Sequence, residues 1–458
     1  MALVKAQEVL SRYAAGDRTF CNANLRGANF SGQDLSGADF SGADIRSATF
    51  DDAQLQSVSF AGAQAGLQRR WIAVHVVVTV LVAAFAGLLQ GFVGIVATVL
   101  FDGSPEALLA ESIYVLLLIT VYVAISLQGF TLSACGTVLG SFLLVVAVAV
   151  GSAGSFSQDF AIAVASGISV AVVGVLAVVA VVLMMGAFSV SGIDSFIFAL
   201  AIAAIMALSV AGAVVFFGAD TFTFVVALAL GLASWLLVLY IGWQVSRGHA
   251  KYTMVRELGL VFSALGGTSF CGADLTGATF RKARLINTNL TDSTQGKTRL
   301  THVCWEGTES LNRSRLGTTL LQDNRVRRIL TIPEKGYKQD LSYADLQGAN
   351  LEGVTLEGAS LKRAVLTNAK LENAVLKNAT LTRVQALGAD FTGACLTGAI
   401  LEAWDIDSTT TFKDVDCQYI FLKENPNGYG RSERRPRDPN AVFEQGDLER
   451  LLREMSAS

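Results

Sequence analysis

Lysine and arginine are missing altogether between Trp71 and Ser246 of this 458-residue chain. Histidine is nearly as scarce, with His75, His249 and His302 the complete set. Six cysteines are scattered without a CxxC pair, and no HExxH, GxSxG or Walker-type phosphate loop occurs. These gaps argue against the common hydrolytic, nucleotide-binding and zinc chemistries, which need several ligating or nucleophilic groups at set spacings. No catalytic, cofactor-binding or metal-ligating residue is therefore expected, and the chain reads as a non-enzyme. Charged residues make up only 16% and the net charge is −3. That balance gives a nucleic acid no basic surface to hold, and it falls far short of the acidic rod a DNA mimic requires. No nucleic-acid partner is expected.

The stretch without lysine or arginine is too apolar for soluble helices. Runs such as VLLLITVYVAI and SVAVVGVLAVVAVVLMM suit spans of about 20 residues. Six spans are expected, near 71–100, 112–128, 134–151, 160–188, 196–218 and 221–245; four is the alternative, because the second and third are short and tightly joined. Arg69 and Arg70 precede the first span, and Arg247, Lys251 and Arg256 follow the last. Basic flanks remain on the cytoplasmic side, so both termini are expected there. An integral membrane protein, with lipid as a partner, follows. His75 falls one turn inside the first span. An ionisable group at that depth is a functional candidate by default, and near the interface its simpler use is to reach headgroups or a backbone carbonyl.

The flanking sequence obeys a different rule. Large apolar residues recur every five positions: Phe20, Leu25, Phe30, Leu35, Phe40, Ile45 and Phe50, then Phe270, Leu275, Phe280 and Leu285. A third run passes through Leu346, Leu351, Leu361, Leu371, Leu381, Phe391 and Leu396. Small residues, mostly alanine, stand two places before them. Five residues advance a helix by about 500°, which would scatter the large side chains over every face. In a flat strand an odd period would send every second one into water. The spacing is consistent only if the chain turns a corner once per repeat and winds a solenoid around these residues.

Strings such as ANLRG, ANFSG, ADFSG, ADLTG and ADLQG resemble the pentapeptide repeats, the A(D/N)LxG family. The resemblance implies a right-handed quadrilateral β-helix, here with an inserted all-α transmembrane bundle. The order of blocks, the GLQRRW entry, the YIGW exit, NRVRRIL and CQYIFLKENP also resemble a group of cyanobacterial membrane proteins with pentapeptide repeats. That likeness implies a thylakoid or plasma membrane. A looser resemblance is to the repeat proteins of the heterocyst glycolipid layer, which place their helices ahead of the repeats.

The expected layout is a capping helix at 1–16, repeats at 17–66, the transmembrane domain at 67–250 and a connecting helix at 251–267. Repeats follow at 268–306, an irregular insert with a short helix at 307–340, repeats at 341–416, and a tail with a closing helix at 417–458. The second block is expected to stack on the first. The function this implies is a membrane-anchored scaffold that presents a cytoplasmic solenoid to a protein partner. A transporter, channel or glycolipid-export role is the alternative; a topoisomerase-inhibiting DNA mimic is the remaining one. Oligomeric state is not legible.

Overall fold

A computed structural model describes residues 3–81, 84–85, 236, 240, 241, 243–245, 247, 249–424 and 431–456. The chain divides into two compact units, Met1–Gln68 with Gly266–Ser458, and Arg69–Leu265.

The first unit is a solenoid whose logic is visible in a single repeat. The large residue points inward: Phe20, Leu25, Phe30, Leu35, Phe40, Ile45 and Phe50 are all buried. The residue before it pairs with its counterpart on the next coil, as in the parallel ladder Thr19–Asp39–Ser59. Two places after it the backbone turns left-handed, at Gly27, Gly32, Gly37 and Gly42 for example. That left-handed residue is the third of a β-turn closed by a hydrogen bond such as Ala28 N–H to Leu25 O at 3.0 Å. A positive φ at that position is what glycine and asparagine supply most cheaply. The preference for Asp or Asn before the large residue follows too. Asp39 Oδ1 accepts from Ser41 N–H at 2.9 Å, and Asp274 accepts likewise from Thr276 N–H at 3.0 Å, so the carboxylate secures the corner. Five-residue sides and a twenty-residue ladder offset make four sides per coil.

Across the long interruption the ladder continues. Thr49 pairs with Ser269, and β1 (Gln64–Ala65) pairs in parallel with β2 (Arg284–Leu285), Gln64 opposite Arg284. The offset here is 220 instead of 20, so the intervening path adds 200 residues, a whole number of sides and of coils. Phe50 N–H donates to Ser269 O at 2.7 Å, and Ser269 N–H donates to Ala48 O at 3.0 Å. Two aromatic ladders cross the same boundary. One runs Phe30–Phe50–Phe270 with centroids 5.1 Å apart at each step. The other runs Phe20–Phe40–Phe60–Phe280–Trp305, with steps of 5.0–5.5 Å. Offset stacking at this separation adds about 0.5–1.5 kcal/mol per pair beyond burial.

Thr268 fixes the seam. Fully buried, it donates through Oγ1 to Ile45 O at 2.8 Å and accepts from Gly66 N–H at 2.9 Å. Gly66 itself has φ +131, and a Cβ there would lie 2.9 Å from Ile286 O.

The stretch after Trp305 departs from expectation. Its first half is another coil: Leu311, Leu316 and Leu321 are buried, and Glu309 and Arg315 pair with Arg284 and Asn289. One extra residue at the corner before Leu311, with Ser310 at φ +63, shifts the ruler and hides it. The helix is α3; the helices before it are α1 (Ala6–Ala14) and α2 (Thr253–Ala264). α3 (Asn324–Thr331) is capped by Asp323, which accepts from Arg325 N–H at 2.8 Å, and it buries Val326, Ile329 and Leu330. Coils resume with Leu341, and Leu346, Leu351, Leu361, Leu371, Leu381, Phe391 and Leu396 are all buried.

Both ends of the solenoid are covered. At the start, Val9 of α1 is buried in the common core, with Val4, Ala6, Leu10 and Tyr13 packed beside it. Leu3, expected within this helix, instead bridges Asn24. At the finish, the first part of the tail forms a hairpin. β3 (Ile420–Glu424) pairs antiparallel with β4 (Arg431–Arg435), Ile420 opposite Arg435. The closing helix is α4 (Asp447–Ser456), and it begins directly after Gly446, whose φ of +90 is not helical. Its Leu448 and Leu452 are buried in the core.

The second unit contains helical residues 69–81 and 84–85, then α2, which follows a 3-10 turn at Ala250–Tyr252. No helix among the described residues is long and apolar enough to cross a membrane. The six expected spans lie outside the described residues, save for parts of the first and last.

Candidate interaction surface

With the large side chains turned inward, what the solenoid offers a partner is its corners. Most corners of the third block carry glycine or asparagine in the left-handed position, such as Gly348, Gly353, Asn368, Asn373 and Asn378. Asp414 is an exception at φ +53, and one whole edge, which ends at Ala403 with φ +51, carries neither. Tyr343, Arg363 and Arg383, twenty residues apart, occupy that position at φ +61, +55 and +57. Their backbone N–H groups donate to Lys362, Thr382 and Glu402 carbonyls at 2.8–3.0 Å, which places the three on successive coils of one edge. All three are exposed, Tyr343 by 69%. The Arg363 guanidinium lies 5.6 Å from the Tyr343 ring centroid. A bulky residue held left-handed costs about 1–2 kcal/mol. Three such residues in register form a ridge that the fold does not require for itself.

Beside the ridge, Lys362 pairs with Glu424 of β3 at 2.6 Å, and Thr382 Oγ1 donates to the same carboxylate at 3.1 Å. Glu424 N–H donates to Glu402 at 2.7 Å. The hairpin is thus tied to the next column of side chains, which leaves the ridge as the edge beyond it. Neither Tyr343 nor the hairpin was legible from the ruler. Tyr343 sits two places after Leu341, and that offset is the available signal. The hairpin's signal is the short IFLKE run before a turn-rich segment.

The other candidates resolve differently. Arg327 donates to Leu321 O at 2.8 Å and to Asn324 at 2.9 Å, while Arg325 binds Asp323 at 2.7 Å and donates to Asp340 O at 3.2 Å, so these two arginines tie α3 to the segments on either side of it. Asp44, although burial alone would raise its pKa, is held down at about 2 by the Arg46 and Arg26 guanidiniums that donate to it. Burial pushes the Cys417 thiol up to about 12. Cys271 and Cys395 are raised mainly by burial, and Cys21 mainly by its hydrogen bond to Asp39. None of these four is tuned toward nucleophilicity. Among the described residues no group of three metal-ligating side chains converges.

In the second unit His75 is buried, with Nδ1 2.7 Å from Trp71 O and Nε2 3.0 Å from Phe262 O. Both ring nitrogens therefore face backbone carbonyls. Of the basic flanks, Arg69, Arg70, Arg247 and Lys251 are exposed and Arg256 is half-buried. The Arg247 guanidinium stacks 3.8 Å over exposed Trp243.

The geometry defines a four-sided repeat solenoid. Comparison with known families gives these repeats their name: the model for pentapeptide repeats matches eight copies, at residues 20–62, 260–292, 338–358 and 359–398. Similar solved structures include the pentapeptide repeat protein Rfr23 from the cyanobacterium Cyanothece 51142, 24% identical with a TM-score of 0.15. The alignment covers 30% of this chain and 59% of Rfr23, so the chain spans somewhat over half of that relative. HetL, a pentapeptide repeat protein involved in heterocyst differentiation regulation in Nostoc sp. strain PCC 7120, is 15% identical with a TM-score of 0.18. That match covers 94% of this chain and 99% of HetL. A pentapeptide repeat protein from the Arabidopsis thaliana thylakoid lumen is 26% identical over 20% of this chain and 73% of its own, with a TM-score of 0.10. No curated protein matches the chain.

Proposed function

We propose that the chain is a non-enzymatic scaffold, held at a cyanobacterial plasma or thylakoid membrane by residues 71–245, with the solenoid and both termini in the cytoplasm. The solenoid is a stiff, end-capped surface, and the ridge Tyr343–Arg363–Arg383 is where it meets a protein partner. That ridge is the observation that carries the reading: three left-handed bulky residues on one edge, while most neighbouring corners of the same block keep glycine or asparagine. Strain of this kind persists where function offsets its cost. An exposed tyrosine and two guanidiniums suit an acidic protein surface, because arginine pairs bidentately with carboxylates and tyrosine adds rigid contact area. Membrane anchoring draws its support from the 71–246 stretch without lysine or arginine. Exposed Trp243 and Tyr240 near its end are consistent with an aromatic belt.

The test is cross-linking and affinity capture from native membranes, with wild type beside Arg363→Glu/Arg383→Glu. Capture of one acidic protein by wild type and its loss in the double variant is the expected result. Equal capture by both removes the ridge from the mechanism. Ion or solute flux in vesicles carrying the purified chain would replace the scaffold with a transporter.

A further inference from the structure

A helix at a protein surface ordinarily turns its apolar face inward and its polar face to water. α2 is apolar on both sides. Val255, Gly259, Leu260 and Ser263 are buried on one face. Met254, Leu258 and Val261 lie within about 60° of one another on the other, by the helical step of about 100° per residue, and Leu265 follows as the C-cap with φ −62 and ψ 120. These four are 52%, 42%, 37% and 52% exposed. The inner face belongs to a defined place. Phe262 O receives the ring of buried His75 at 3.0 Å, and the Phe262 ring meets the same imidazole edge-on at 5.4 Å. α2 therefore lies beside helical residues 69–81 at the level of His75, one turn past Arg69 and Arg70. That neighbouring helix carries a matching outward stripe, Val74, Val77 and Leu81, each between 48% and 63% exposed.

We infer that α2 is an interfacial helix, lying in the plane of the bilayer with its Met254–Leu258–Val261–Leu265 stripe among the upper acyl chains. This rests on the membrane reading proposed above and adds to it a fixed element outside the spans. The occupant is lipid for two reasons. The stripe sits beside the expected entry point of the first span, so it continues the lipid-facing surface of that helix. The surrounding basic residues, exposed Arg69, Arg70, Arg247 and Lys251, complement anionic headgroups at that depth. A helix packed on protein by one face and exposing apolar side chains on the other buries that exposed face where acyl chains meet headgroups.

The experiment places the photoreactive residue p-benzoylphenylalanine in the full chain, at Leu258, at Val261 or at exposed Glu257, in vesicles of phosphatidylcholine and phosphatidylglycerol bearing an alkyne tag. Carbonate extraction is run on the same samples. The inference expects strong lipid adducts at 258 and 261, weak adducts at 257, and a chain that stays in the membrane pellet. Adducts absent from 258 and 261 while the chain remains in the pellet overturn the inference and leave anchoring standing. Adducts from 258 or 261 to protein also overturn it, since a second chain then covers the stripe. A chain released by carbonate overturns both readings.

Discussion

If the two repeat blocks form one core, Phe50 and Phe270 must be energetically coupled although 220 positions separate them. Their rings stack with centroids 5.1 Å apart and planes 7° from parallel, and each is fully buried. Leucine is the appropriate probe, since Leu25, Leu35 and Leu55 already fill equivalent positions. Each single change should cost about 1–2 kcal/mol, the range of a conservative core substitution. The lost stacking should appear as a coupling of about 0.5–1.5 kcal/mol, so the double variant is less destabilised than the sum. Phe20 and Phe391 serve as a distant control pair, expected to add within about 0.5 kcal/mol. The assay is urea titration of the full chain in detergent, read by pulse proteolysis of the folded solenoid and fragment mapping. Strict additivity for Phe50 and Phe270, or two blocks that lose protection at different urea concentrations, would refute the continuous core.

Thr268→Val should cost about 1–3 kcal/mol, because Gly66 N–H loses its buried acceptor, while Thr268→Ser keeps the hydroxyl and should recover most of that, by the same titration. Asp44 has a folded-state pKa of about 2, below its ordinary 3.8, so it contributes stability above about pH 4 that disappears as pH falls through about 2. Urea midpoints of wild type and Asp44→Asn should therefore differ at pH 5 and converge toward pH 2; a constant difference would count against the Arg26–Asp44–Arg46 cluster. Cys417, pushed up to about 12, should resist iodoacetamide in the native chain at neutral pH and react fully once unfolded, as peptide mass mapping will report. Tyr343→Gly should raise stability by about 1 kcal/mol through relief of its left-handed strain while weakening partner capture; loss of stability would mean that the corner is not strained.

The core was readable from the sequence because a five-residue spacing admits few geometries. Phe20 through Phe50, Phe270 through Leu285 and Leu346 through Leu396 could be named without coordinates. What escaped were features that depend on a single extra residue or on space rather than spacing. The coil through Leu311 and Leu316 was hidden by one inserted residue, which the backbone absorbs at Ser310. The hairpin Ile420–Glu424 with Arg431–Arg435 was read only as part of the tail, because the sequence Asn425–Gly430 resembles any turn-rich segment. Its anchor, Lys362 to Glu424, joins residues sixty-two positions apart. Thr268 looked like one more small residue two places before a phenylalanine, and nothing in its neighbours discloses that it meets Gly66. Tyr343 and Arg363 were visible as residues but not as a column, since the twenty-residue ladder had first to be closed. The outward stripe of α2 needed exposure, since hydropathy alone does not distinguish a helix buried on both sides from one with an unclaimed face.

The two terminal covers set a length. Stacked β-coils would otherwise accept further strands at either mouth and grow into filaments. Val9 stops one mouth, and Leu448 with Leu452 stops the other. Each solenoid is therefore finite, and copies of the chain brought close together stay discrete instead of fusing end to end.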